Sequence, residues 1–127
     1  MYSAALWEHF ESPKHRGRPE SFQLSVRQSN PICGDDLELF LGYDSHQNVT
    51  LSFEARACPP VVAGASMVCQ WARGRSRQEL LALRAEEIGE WLAPLPPQKK
   101  HAVALLWLGL QELCQQSESG MDQDPPR

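Results

Sequence analysis

Apolar residues fall at every second position over residues 37–43 (Leu37, Leu39, Leu41, Tyr43) and again at Val49, Leu51 and Phe53. Between them lies a polar run, residues 44–48. Alternation puts one set of side chains on one face of a strand, so the two runs predict a β-hairpin with one buried face. Leu24 and Val26 alternate with polar residues over a shorter stretch and predict an edge strand. Near the start, Leu6 and Phe10, joined by Trp7, recur at helical spacing behind Ser3. They predict a short helix over residues 3–11, capped by the serine hydroxyl and ended by Pro13 and Gly17. A basic loop follows, with Lys14, His15, Arg16 and Arg18.

After Cys58 the period changes. Pro59-Pro60 sets a helix start, and residues 61–71 form a helix closed by Gly74. Ser76 and Glu79 make a capping box ahead of Leu80, Leu81 and Leu83, and residues 86–92 add a further turn or two. Pro94, Pro96 and Pro97 stop the chain before a last helix over residues 98–116. That helix is apolar all round at residues 103–108, as expected of one buried on several sides or lying in an interface. Residues 117–127, without apolar periodicity, are expected to be disordered. Helix, antiparallel strands, then helices give an α+β fold: an N-terminal helix and a three-stranded antiparallel sheet packed against C-terminal helices.

Composition narrows the function. The 127 residues fit one domain. A net charge of −4 argues against nucleic acid as a partner, and the cluster Lys99, Lys100, His101 is too small to make a groove. No apolar run approaches the roughly 20 residues of a membrane span. The first residues carry neither a basic nor an apolar leader pattern, so the expected location is the cytoplasm. In that compartment Cys33, Cys58, Cys69 and Cys114 stay reduced and available as ligands.

Three places carry chemistry. In Cys33-Gly34-Asp35 a glycine between two donors permits a bend that aims both at one point. Cys58 falls at a strand-to-helix junction, where a helix N-terminus would lower its thiol pKa. His101 falls in the first turn of the last helix. Two thiols, a carboxylate and an imidazole suit tetrahedral zinc and are acceptable to iron. Each signal alone has an ordinary reading, and the separations match no local zinc motif. Cys69 and Cys114 read as core thiols, His9 as a structural hydrogen bonder, and His15 and His46 as loop residues.

Four segments in order resemble the IscU/NifU-type iron–sulfur scaffold family, SufU-like relatives included. They are YSAALWEHFESPKHRG, NPICGDDLELFL, ACPPVVAGASMVCQWARGRS and LPPQKKHA, and the resemblance they carry covers the chain from about residue 2 to residue 113. The resemblance implies a scaffold domain over residues 1–116 with a metal site at Cys33, Asp35, Cys58 and His101. It further implies a chaperone-recognition segment carried by Leu95, Pro96, Pro97 and Lys99. The implied function is a non-enzymatic scaffold that receives iron and sulfur, with a cysteine desulfurase as sulfur donor. It assembles a transient [2Fe–2S] cluster and passes it to acceptor apo-proteins, with an Hsp70-type chaperone as a further partner.

Three departures qualify this. Ala102 stands where the family has its third cysteine, so a bridged cluster should be held less firmly and Zn2+ is disfavoured less. Gln98 replaces the usual valine of the chaperone motif. Pro59-Pro60 replaces small residues and stiffens the segment after Cys58. Two alternatives follow: a zinc-holding sulfur relay with Cys33 as persulfide acceptor, and a diverged adaptor that binds a desulfurase or chaperone without a cluster.

Overall fold

The computed structural model describes residues 1–123, with side chains through residue 117. Its elements are α1 (Ala4–Glu11), β1 (Leu24–Asn30), β2 (Asp35–Tyr43), β3 (Val49–Arg56), α2 (Pro59–Ala72), α3 (Arg77–Leu81), α4 (Ala85–Leu92), a 3-10 turn (Pro97–Lys99) and α5 (His101–Gln123). The strands form one antiparallel sheet in the order β1-β2-β3. Leu39 stands between Val26 and Phe53 across the sheet. The expected hairpin is therefore β2-β3, and the short alternation at Leu24 and Val26 is the edge strand β1.

One face of the sheet is covered. Leu37, Leu39, Leu41, Val49, Leu51, Phe53 and Ala55 are buried beneath α2 and α5. Phe40 breaks the alternation: it is 1% exposed although it points to the opposite face. Phe22 packs edge-on against it, ring centroids 5.0 Å apart, and the Arg18 guanidinium lies over both rings. The loop before β1 thus buries a small second cluster.

α2 is the central helix, buried on nearly every position from Pro60 to Cys69. It is crossed closely by α5. A Cβ added at Gly64 would stand 2.3 Å from Leu106 Cδ1, so the missing side chain is what lets the two helices approach. α1 packs on the other side of α2 through the buried Leu6, with Ser3 capping it by accepting the Leu6 N–H at 3.0 Å. The capping box at Ser76 and Glu79 is formed as expected.

The chain departs from expectation at its last helix. α5 begins at His101 rather than Gln98, because Pro97–Lys99 takes a tighter 3-10 turn. It also does not end at Gln116. The helical backbone continues to Gln123, and Ser117 is 3% exposed with its hydroxyl 2.8 Å from that of Tyr43. Polar composition suggested disorder there, but a tertiary hydrogen bond anchors the start of the segment. The remaining expectation of disorder, for residues 124–127, lies outside the described residues. No helix among the described residues is long and apolar enough to cross a membrane.

Candidate metal centre

The turn from β1 to β2 delivers Cys33 and Asp35. The strand register closes on the pair Asn30↔Asp35, leaving Pro31, Ile32, Cys33 and Gly34 as the loop. Gly34 has a φ of +74°, which a residue with a Cβ adopts at a cost of roughly 1–2 kcal/mol. The glycine thus provides the bend expected of it. Cys58 is the N-cap of α2, with Pro59 and Pro60 in its first two positions. Neither proline has an N–H to offer, so the first donor of that helix end is Val61. His101 is the first residue of α5, placed by the 3-10 turn before it.

These side chains meet at Asp35. Its carboxylate is 1% exposed and fully occupied. Oδ1 accepts the Cys58 backbone N–H at 2.9 Å, while Oδ2 lies 2.6 Å from His101 Nε2 and 3.7 Å from Cys58 Sγ. A carboxylate taken out of water needs such partners to stay charged. On its other side the His101 ring presents Nδ1, 3.1 Å from the Gln98 carbonyl and 3.9 Å from Cys33 Sγ. Donor atoms of Cys33, Asp35 and His101 all lie within 4.8 Å of one another. Ligands around one zinc stand about 3.5 Å apart, given bonds of about 2.0–2.3 Å, so small side-chain rotations would close the set. Cys58 joins through Asp35, and the four residues singled out from the sequence lie in one place.

The electrostatics of Cys58 differ from expectation. Its thiol pKa is raised, not lowered. Burial is the main cause, and the Asp35 charge and hydrogen bond add to it. The Val61 N–H and the Lys99 ammonium pull the other way and do not prevail. A helix N-terminus that has lost two donors to proline stabilises a thiolate weakly. Cys33 is exposed, whereas Cys69 and Cys114 are buried, as read from the sequence. Burial raises both of these thiols, Cys114 to about 11. His9 makes the hydrogen bond expected of it, Nδ1 to Ser66 Oγ at 2.7 Å, and His15 and His46 lie exposed in loops.

The segment of Leu95, Pro96, Pro97 and Lys99 is extended only in part. Pro96 is extended (φ −65°, ψ 153°), but the 3-10 turn begins at Pro97, and Leu95 is half-buried against the core. Two consecutive prolines fit the first turn of a helix as well as an extended strand, and here they do both. Ala102 is fully buried within the core. Sequence reasoning missed the placing of Lys99 near Cys58 and the work of Asn30 in the Cys33 loop. Asn-Pro before a cysteine is a turn signal that could have shown the second.

Residues 1–116 match the family described as the NifU-like N terminal domain. The chain belongs to that family. Among NifU-like relatives, the iron-sulfur cluster assembly scaffold protein IscU 1 of Archaeoglobus fulgidus is 29% identical over 101 residues, which cover 80% of this chain and 66% of that protein. The iron-sulfur cluster assembly scaffold protein IscU of Haemophilus influenzae is 29% identical over 108 residues, covering 82% of this chain and 85% of that one. The chain thus spans just under two thirds of the archaeal relative and most of the bacterial one. A solved NifU-like N-terminal protein from Brucella abortus has the same fold, with a TM-score of 0.77 at 16% identity, covering 94% of this chain and 95% of that chain. The α+β arrangement of helix, three strands and helices is the NifU-like domain fold.

Proposed function

We propose that this NifU-like domain is an iron–sulfur assembly scaffold that holds iron and sulfur at Cys33, Asp35, Cys58 and His101 and passes a [2Fe–2S] cluster to acceptor proteins. The observation that carries the reading is the convergence of thiol, carboxylate and imidazole donors within 4.8 Å, with a second thiol on the same carboxylate. The names of the relatives give the cargo. The donor set fits iron and zinc alike, since both accept mixed sulfur, nitrogen and oxygen ligands.

Each residue has a part in such a site. Cys33 and Cys58 supply sulfur ligands to the cargo, and their exposed and half-buried placement leaves an entry side at Cys33. Asp35 bridges the Cys58 and His101 segments before cargo arrives and must exchange hydrogen bonds for a metal bond on loading. A carboxylate ligand is harder and more exchangeable than a thiolate, which favours release. The role is binding and transfer rather than catalysis. The partners of this reading are a cysteine desulfurase as sulfur source, acceptor apo-proteins and, through Leu95, Pro96, Pro97 and Lys99, an Hsp70-type chaperone. The reading sets the protein in a reducing compartment such as the cytoplasm, where thiols stay available as ligands.

A second reading rests on the line Cys33 Sγ, His101 Nδ1, His101 Nε2, Asp35 Oδ2, at 3.9 and 2.6 Å. A thiol beside an imidazole that is oriented by a carboxylate is a nucleophile arrangement. It supports a zinc-holding sulfur relay in which Cys33 accepts the persulfide.

Anaerobic reconstitution with ferrous iron, cysteine and a desulfurase separates the two. The scaffold reading expects visible absorption bands with about two iron and two sulfide per chain, lost in Cys58→Ser. Zinc retention at about one per chain, with persulfide on Cys33 and no cluster bands, would overturn the scaffold in favour of the relay.

A further inference from the structure

We infer that Asn30 is the positioning residue of the cysteine loop: its side chain and carbonyl hold Cys33 at the distance from His101 that the site requires. This rests on the proposed site at Cys33, Asp35, Cys58 and His101. The loop between Asn30 and Asp35 has three backbone N–H groups, since Pro31 has none. All three go to Asn30. Its Oδ1 accepts from Ile32 at 3.1 Å and from Cys33 at 3.4 Å, and its carbonyl accepts from Gly34 at 2.8 Å. Asn30 is half-buried at the last position of β1, where the register pairs it with Asp35, so it is fixed to the sheet.

Little else restrains the loop. Pro31, Ile32, Cys33 and Gly34 are all exposed, and Ile32 is 94% exposed, so tertiary packing does not hold them. Among the described residues, the hydrogen-bond-type contact of the Cys33 thiol is the long one to His101 at 3.9 Å. Remove Oδ1 and two of the three hydrogen bonds go. The loop keeps its closing bond at Gly34 but gains freedom at the residue that carries the ligand. The same bonds occupy the loop's donors, so no free N–H competes with a metal for the sulfur atom of Cys33.

The test compares wild type, Asn30→Ala, Asn30→Asp and Cys33→Ser in the metal-free full chain. Asn30→Asp keeps an oxygen acceptor at the same reach. Three readouts are taken: Zn2+ affinity by competition with a chromophoric chelator, the alkylation rate of Cys33 relative to Cys58 by peptide mass spectrometry, and the unfolding midpoint. Asn30→Ala should weaken zinc about tenfold and change the Cys33 alkylation rate at least twofold, with a midpoint close to wild type. Asn30→Asp should restore both the affinity and the rate. If Asn30→Ala binds zinc and alkylates as wild type does while Cys33→Ser loses zinc, this inference is wrong and the site stands. If Cys33→Ser keeps full zinc affinity, the site reading fails, and the alkylation rates then decide on Asn30 alone. A midpoint shift shared by Asn30→Ala and Asn30→Asp, without rescue by the aspartate, also overturns it.

Discussion

The Ser66 hydroxyl joins three parts of the chain. It accepts the Lys14 backbone N–H at 2.7 Å and lies 2.7 Å from His9 Nδ1, tying α1 and the basic loop to the central helix. With one lone pair engaged by Lys14, the hydroxyl still has its proton and a second lone pair for His9, so the contact forms with either neutral tautomer of the ring. Burial holds the His9 pKa below its ordinary value, against the pull of Glu8. A lowered pKa means that the unfolded chain takes up the proton first as pH falls. The contribution is therefore present above about pH 6.5 and lost on acidification below it. The urea midpoint should fall between pH 7 and 5.5, and His9→Gln should show a shallower fall over that range. Equal slopes would assign the acid sensitivity to another histidine.

Thiol reactivity belongs to the same scale. Cys33 is exposed, Cys58 is half-buried with a raised pKa, and Cys69 and Cys114 are buried. Iodoacetamide at pH 7.5 should modify Cys33 first and Cys58 more slowly, leaving Cys69 and Cys114 untouched until the chain unfolds. Peptide mass spectrometry over time gives the order. Fast labelling of Cys58 would show that its thiol is not held as described.

Among the elements, α2 and α5 approach closely at Gly64. Gly64→Ala would force the added methyl into Leu106, which is 1% exposed and has little room to turn. Overpacking of this kind costs about 1–3 kcal/mol, measurable by chemical denaturation. A stability equal to wild type would mean that the helices shift apart without cost. The sequence made the strands legible because a period of two has one reading when a turn separates the runs. The positions it could not place are Phe40 and Ser117, whose burial depends on Phe22, Arg18 and Tyr43 far along the chain. Helix ends were read a few residues out where a 3-10 turn or a tertiary bond decides them. At the site, the ligand positions came from the family resemblance, since no local spacing shows them. The raised Cys58 pKa was illegible because it comes first from burial of the thiol and then from Asp35 beside it, both set by tertiary packing.

For the molecule as a whole, the choice of cargo can be tested at Ala102. Residue 102 is fully buried and next to His101, so on the proposed scaffold reading a thiol there would be a further sulfur donor. Ala102→Cys adds one atom to a packed site and should lengthen cluster lifetime under a chelator severalfold, while leaving the circular dichroism spectrum unchanged. Identical lifetimes would mean that residue 102 does not reach the cluster.

The hydrogen bond from His101 to Asp35 spans 66 positions of the chain, and the one from Cys58 to Asp35 spans 23. A metal bound there would be a reversible cross-link, closing long loops that the unfolded chain would otherwise leave open. Its stabilising effect grows with the free metal concentration and vanishes when the cargo leaves. Loading should therefore raise the melting temperature and slow amide exchange at the start of α5 and in the 3-10 turn before it. On unloading, the neighbouring proline segment would lose that restraint, so the act of giving up cargo would itself loosen Leu95, Pro96 and Pro97 for a partner to grip.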